Sequence, residues 1–380
     1  MPITIAALMN KSDNFYMRLA LKLSRRGLGR CAPNPCVGAV IVQGGDVPVV
    51  VGRGWTQPSG RPHAETVALE QAGEKASGAT LYVTLEPCSH YGKTPPCAEA
   101  VIKAGIKHVV YAALDPDHRV AGRGLAMLRE SGITVRQVSS DLVEQAQWIM
   151  KGHILRQVEK RPFIQVKLGV DADLMVSNGN GAPVWVTCPT SRSYAHLLRA
   201  QADAILVGRG TAEADNPDLT CRLPGMKNRS PIRILLDRNM QVSASSNLYK
   251  SATDTPLWVI CSPETGSVHS GVAEYSGAQL ITVPVDSETG TLSIPELLTV
   301  LADKGITRLM VEGGPKVVRS FQEKGLIDEL VLFQSKTRLG DAGSLAVEGT
   351  GLKTMLESDR CNLVFEQQVD VDHMQIYRFS

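Results

Sequence analysis

Aromatic residues are scarce in this chain: six Phe, four Trp and eight Tyr make up 5% of 380 residues. Proteins that hold single-stranded nucleic acid combine a cationic groove with aromatic faces on which bases stack. Here 40 Lys and Arg against 38 Asp and Glu leave a formal net charge of +2, and no basic run stands out. There is no field for nucleic acid or anionic lipid, so any phosphate must be held locally. No apolar run is long enough to span a membrane, no tract is of low complexity, and no motif returns at a fixed period. The opening I-T-I-A-A-L-M is apolar but lacks a basic segment before it and a small-residue cleavage site after it, which reads as a frayed leader. Eight cysteines at irregular spacings in a chain of this length do not make a disulfide framework and fit a reducing cytoplasm.

What is present is the composition of an ordinary enzyme, 43% hydrophobic and 21% charged, in a chain longer than one core usually serves. Helical periodicity in F-Y-M-R-L-A-L-K-L-S-R ends at Gly27, P-N-P breaks the chain, and V-G-A-V-I-V starts a strand. Strands are predicted at A-T-L-Y-V-T-L, H-V-V-Y-A-A-L and I-T-V-R-Q-V. Helices are predicted at A-E-T-V-A-L-E-Q-A, at C-A-E-A-V-I-K-A-G, around 125–130 and from Leu142 to about His153. Rising charge in Q-V-E-K-R-P and Pro162 put a boundary at 157–161, giving domains 1–157 and 158–380. A second alternating series follows, with strands at F-I-Q-V-K-L, A-I-L-V-G, I-R-I-L-L-D, L-W-V-I-C, R-L-M-V-E and E-L-V-L-F. Its helices are S-Y-A-H-L-L-R-A, P-E-L-L-T-V-L-A and V-V-R-S-F, and 223–230 is a loop. Alternation of this kind predicts an α/β fold, each sheet covered by helices.

The stretch with the most chemistry runs from His63 to Cys97: H-A-E, then T-L-E-P-C-S-H-Y-G-K-T-P-P-C. His63, Cys88 and Cys97 are side chains that bind Zn2+ well, and three protein ligands leave a fourth tetrahedral position for water. Glu65, two residues after the histidine, is not needed as a ligand and suits a proton carrier, the division of labour found in zinc deaminases of nucleobases. Two thiolates formally cancel the zinc charge, so this carboxylate is neither drawn into coordination nor strongly acidified. A lone H-A-E is a common accident. A histidine at a helix start and a strand ending in E-P-C bring both ligand groups to one place, and His90 is the only rival nearby.

In the second half, V-E-G-G-P-K ends a strand at Glu312, turns on two glycines and opens a helix at Pro315. Free backbone N–H groups at such a start can hold a dinucleotide pyrophosphate, although two glycines often make only a tight turn.

Eight residues separate Cys88 from Cys97, where generic zinc deaminases read P-C-x-x-C. With P-N-P-C-V-G-A-V, G-R-P-H-A-E and D-P-D-H-R-V-A-G-R-G, the chain resembles the bifunctional deaminase-reductase family of riboflavin biosynthesis over nearly its whole length. The resemblance implies a cytidine-deaminase-like three-layer sandwich followed by a dihydrofolate-reductase-like α/β domain. It implies zinc-dependent deamination of a small phosphoribosylated aminopyrimidine, then NADPH reduction of its ribosyl group, in a cytoplasmic homo-oligomer. Asn34 and Lys93 become substrate contacts of the deaminase. The gapless match L-L-R-A-Q-A-D-A-I-L-V-G-R-G-T-A-E-A-D-N-P-D-L-T-C-R places Thr211 and Asp215 at cofactor or substrate. Arg199 and Arg222 become forks for the substrate phosphate. The same resemblance assigns Leu219 and Glu312 to substrate and Gly169, Trp185, Gly314, Pro315 and Lys316 to cofactor.

Two places depart from the family. K-x-x-x-S-x-D-G-K/R is here K-L-G-V-D-A-D-L-M, which keeps Lys167 and Asp173 but replaces serine, glycine and the last basic residue by Asp171, Leu174 and Met175. Thr56 stands where many members have a histidine. The altered loop motivates an alternative in which the C-terminal domain only binds nucleotide or serves assembly. A nucleic-acid deaminase shares the zinc logic but would need the aromatic or basic surface this chain lacks.

Overall fold

The computed structural model describes residues 5–92, 95–117, 121–177, 184–269, 277–340, 343–348 and 351–380. The chain divides into two compact units, Met1–Arg161 and Pro162–Ser380.

The first unit is built on five strands, β1 (Gly38–Gln43), β2 (Val49–Trp55), β3 (Thr80–Leu85), β4 (His108–Ala113) and β5 (Thr134–Gln137), in the order β2-β1-β3-β4-β5. β1 runs antiparallel to β2 and β3, and β3, β4 and β5 are mutually parallel. Glycines show how helices cover it. A Cβ on Gly38 would stand 2.0 Å from Ala20 O in the helix Ile5–Ser24, and Cβ atoms on Gly52 and Gly54 would each stand 2.2 Å from a carbonyl of the helix Ala64–Ala72. Gly38 is the register partner of Trp55, and neighbouring strand residues alternate sides, so Gly54 faces away from Gly38 and the two helices lie on opposite faces. This is the three-layer sandwich. The same glycines explain why β2 escapes a reading by propensity, since glycine in a strand usually signals interruption and here signals close approach.

Two expectations are corrected. The apolar opening, expected to be frayed, is helical from Ile5 onward, where the first helix begins. The helix expected from Leu142 to about His153 is two, Ser140–Ile149 and Lys151–Val158, parted where Met150 leaves helical geometry at φ −93°, ψ 8°.

The second unit holds nine strands: β6 (Phe163–Val170), β7 (Ala204–Gly208), β8 (Ile232–Leu236), β9 (Leu257–Cys261), β10 (Ala278–Thr282), β11 (Arg308–Val311), β12 (Glu329–Gln334), β13 (Cys361–Val369) and β14 (Asp372–Phe379). Their order is β10-β9-β8-β7-β11-β6-β12-β14-β13, parallel as far as β12 and antiparallel beyond it. β7 and β9 are continuous apolar runs, as strands buried on both faces should be, whereas Gln165 and Lys167 interrupt β6 and the buried Arg233 interrupts β8. β10, β13 and β14 were not expected; β13 is exposed along most of its length and shows no apolar alternation. Among the described residues, no helix is long and apolar enough to cross a membrane.

Candidate active sites

His63 caps the helix Ala64–Ala72 in extended geometry, Cys88 follows the end of β3, and Cys97 begins the helix Cys97–Lys103. The turn between the cysteines is closed by its backbone: Ala98 N donates to Cys88 O at 3.1 Å and Cys97 N to Cys88 Sγ at 3.2 Å. His63 Nδ1 stands 3.3 Å from Cys97 Sγ and 3.8 Å from Cys88 Sγ, and one donor atom from each residue lies within 4.8 Å of the others. Zinc bonds of about 2.0 Å to nitrogen and 2.3 Å to sulfur, opened to a tetrahedral angle, set adjacent ligand atoms about 3.5 Å apart. The set therefore fits zinc with little adjustment. His90 is exposed and outside the group. Lys93 lies outside the described residues.

The electrostatics favour a metal thiolate beside a proton carrier. A hydrogen bond from Cys97 brings the Cys88 thiol down to about 4 against the opposing effect of burial. Its bond to Cys88 and burial push Cys97 up, and the hydrogen bond with Cys88 raises His63. Glu65, 4% exposed, is lifted to about 7 by burial, with the Cys88 charge adding to the rise. Asn34 closes the other side: its Nδ2 donates to Gly60 O at 2.9 Å and stands 3.5 Å from His63 Nε2. Thr56, in place of the family's histidine, is buried and ties this loop down, donating to Pro35 O at 2.9 Å and accepting from Val37 N at 3.0 Å.

Sequence reasoning passed over Glu86. It is buried, and its carboxylate accepts the backbone N–H groups of Gly122 (2.8 Å), Gly124 (2.9 Å), Asp115 (3.3 Å) and Leu125 (3.4 Å). It thereby caps the helix Arg123–Glu130 with a negative charge and anchors the strand end that presents Cys88. Gly124 is required, because a Cβ there would stand 1.9 Å from Pro87 O. The glutamate before P-C and the G-R-G of the later motif are two halves of one contact.

In the second unit the candidates gather at the carboxyl ends of β6, β7 and β11, where open α/β sheets bind ligands. Gly314 caps the helix Pro315–Glu323 without any side-chain hydrogen bond, and a Cβ on it would come within 3.0 Å of Thr211 Oγ1. Cβ atoms on Gly208 and Gly313 would each fall 2.7 Å from Val317, so these glycines let the helix sit close over the sheet edge. An uncapped helix start faced by glycines and a threonine fits a dinucleotide pyrophosphate. Arg199 is not an open phosphate fork, because it donates to Glu312 through Nε and Nη2, 2.8 Å each, and through Nη1 to Thr220 O at 3.1 Å. Burial works to raise Glu312, but the Arg199 charge overrides it and holds the carboxyl at about 2. Lys167, mentioned in the sequence only as a retained pattern residue, joins them: burial lowers its ammonium and Glu312 opposes that fall. A Cβ on Gly169 would stand 3.5 Å from Lys167 Nζ.

The remaining candidates are less enclosed. Trp185 is 78% exposed and stacks with Arg192, whose Cζ lies 4.6 Å from the ring centre. Asp215 and Lys316 are exposed, and Arg222 is half exposed with Nη1 3.3 Å from Asp218 Oδ2. Leu219 has its side chain in the core and a left-handed backbone at φ 55°, so what it can offer a ligand is main chain. The altered loop is well organised: Asp171, fully buried, accepts from Asp173 N and Met175 N at 2.8 Å and from Leu339 N at 2.7 Å. Leu174 stands where the family has glycine, and its φ is 65°.

Comparison with known proteins finds relatives of both units. The family model for the cytidine and deoxycytidylate deaminase zinc-binding region matches residues 10–113, and that for the RibD C-terminal domain matches residues 162–371. Riboflavin biosynthesis protein RibD of Aquifex aeolicus is 37% identical over 92% of this chain and 94% of its own. The Escherichia coli protein of that name is 38% identical over 86% and 89%. Among solved structures, Acinetobacter baumannii RibD superposes with a TM-score of 0.83 at 30% identity, covering 97% of this chain and 99% of that one. A Thermotoga maritima diaminohydroxyphosphoribosylaminopyrimidine deaminase/5-amino-6-(5-phosphoribosylamino)uracil reductase gives 0.83 at 32% identity, covering 98% and 100%. With relatives of this identity spanning nearly its whole length, the chain belongs to the RibD family.

Proposed function

We propose that this protein is a two-step enzyme of riboflavin biosynthesis, deaminating a diaminohydroxyphosphoribosylaminopyrimidine in its first unit and reducing the resulting phosphoribosylaminouracil in its second. The observation that carries the first step is the convergence of His63, Cys88 and Cys97 beside a buried carboxyl, Glu65. Zinc held by the three side chains supplies the Lewis acidity that lets water lose a proton near neutral pH. Glu65, poised near working pH, takes a proton from the attacking water and gives one to the departing amine, so that the carbon–nitrogen bond breaks with ammonia leaving. Asn34, fixed by Gly60, offers its amide to the pyrimidine, and Lys93 is the second substrate contact in our reading.

For the reductase, NADPH supplies the hydrogen and electron pair. In our reading the Gly313–Gly314 turn, Pro315, Lys316 and Thr211 receive its phosphates, supported by the helix start at Gly314 that has no side-chain cap, with Gly169, Trp185 and Asp215 as further contacts. Glu312, kept ionised by Arg199, accepts a hydrogen bond from the sugar, with Leu219 and Arg222 completing the substrate side. A merely nucleotide-binding C-terminal unit is not favoured, since the Thermotoga maritima relative with both activities in its name covers 98% of this chain. Eight thiols fit a cytoplasmic location, and a homo-oligomer is the expected assembly.

The test supplies zinc-loaded protein with the diamino nucleotide and NADPH, following ammonia release and loss of nicotinamide absorbance. Both signals are expected. Ammonia release with no NADPH oxidation would confine catalysis to the first unit.

A further inference from the structure

Cys31 and Cys36 take no part in the metal centre, yet their sulfurs stand 2.8 Å apart, with the residues 2% and 8% exposed. Between them lies the P-N-P turn that carries Asn34. Backbone bonds hold this turn from within: Cys31 N donates to Gly27 O at 3.0 Å, Asn34 N to Cys31 O at 3.0 Å, and Val37 N to Pro35 O at 3.1 Å. Gly27 makes room for the pair, since a Cβ there would stand 3.4 Å from Cys31 Sγ and 3.6 Å from Cys36 Cβ. The approach of the two sulfurs is therefore set by the fold of the turn.

We propose that Cys31 and Cys36 are a modification site, forming a reversible intrachain disulfide that staples the Asn34 turn beside the metal centre. A disulfide bond of about 2.05 Å asks the sulfurs to close by less than about 1 Å, within reach of side-chain rotation. With hydrogen peroxide as oxidant, one sulfur attacks a peroxide oxygen; the S–O bond forms as O–O breaks, leaving a sulfenic acid and one water. The second sulfur then displaces the hydroxyl, S–S forming as S–O breaks, and a second water carries off the last thiol proton. The sulfurs lose two electrons in all and the peroxide gains them. A dithiol reverses the bond by exchange. Closure leaves the hydrogen bond from Asn34 to Gly60 in place, so the oxidised chain keeps its deaminase activity. Only that last statement rests on the proposed function.

Trypsin tests it on the native sequence, because residues 31–53 form one fragment, flanked by Arg30 and ending in Arg53, that contains these two cysteines and no others. The full zinc-loaded chain is treated with peroxide, unfolded in iodoacetamide and digested. The fragment should lose two hydrogens and take no alkyl group, then take two after dithiothreitol. The thermal midpoint of the oxidised chain should rise, and Cys36→Ser should abolish the rise. Two alkyl groups on the fragment after oxidation, a bond from either cysteine to Cys88 or Cys97, or an equal rise in Cys36→Ser would overturn the proposal. A disulfide that forms while ammonia release falls would keep the site and refute the claim that Asn34 stays in place. Failure of deamination in the reduced chain would count against the proposed function alone.

Discussion

Arg199 and Glu312 meet in a two-pronged ion pair, Nε to Oε1 and Nη2 to Oε2 at 2.8 Å each, with their side chains 13% and 12% exposed. Glu312 is held at about 2 from an ordinary 4.5, so its contribution to stability is full above pH 4.5 and is lost as pH falls towards 2. Glu312→Gln leaves a largely buried guanidinium without its counter-charge. We expect a loss of about 3 kcal/mol at neutral pH. Denaturant midpoints at stepped pH should show the native protein losing its advantage over the variant between pH 4.5 and 2. An advantage independent of pH would refute the assignment.

Glu65→Gln should retain one zinc per chain and slow deamination by ~10²- to 10⁴-fold, the usual share of general acid-base catalysis. Metal analysis and ammonia release on one sample decide it. Loss of zinc together with activity would make Glu65 a ligand.

Cys97→Ala should release the metal and abolish deamination. Cys188→Ala should not, since Cys188 belongs to the other unit, where it caps the helix Pro189–Ala200 and accepts from Ser191 N. Unchanged zinc content in Cys97→Ala would refute the donor set.

Glu86→Ala strips four backbone N–H groups of their acceptor and should destabilise the first unit by about 3 kcal/mol. Zinc affinity should weaken as well, because the strand end carrying Cys88 loses its anchor. A variant with native stability would show that water replaces the carboxylate at no cost.

Leu174→Gly removes a strain of about 1 to 2 kcal/mol for a leucine held left-handed. It also removes a side chain packed against the core of the second unit. The two effects oppose each other, and we expect a net stability change under about 1 kcal/mol with NADPH oxidation at least as fast as in the native chain. Slower oxidation would mean that the leucine side chain itself serves the reaction.

The donor set was legible because ligand types declare themselves and lie close in the chain; His63 and Cys97 are 34 positions apart. Glu86 was not, because its role consists of backbone N–H groups 29 to 39 positions away, which carry no residue signature. Arg199 was legible as an arginine that mattered but not as one already engaged, since Glu312 lies 113 positions on. Asp171 and Leu174 looked like damage to the family loop. The structure instead shows a carboxylate gathering that loop's N–H groups and a leucine tolerating the backbone that glycine would take without strain.

The metal donors and the Arg199–Glu312 pair also differ in when they can come together during synthesis. A loop of 34 positions closes at less entropic cost than one of 113, and a chain made from its N-terminus has every metal ligand available before the second unit begins. The first half can thus commit to its zinc on the ribosome. Arg199 must wait, its charge unanswered, until β11 has been made and delivers Glu312.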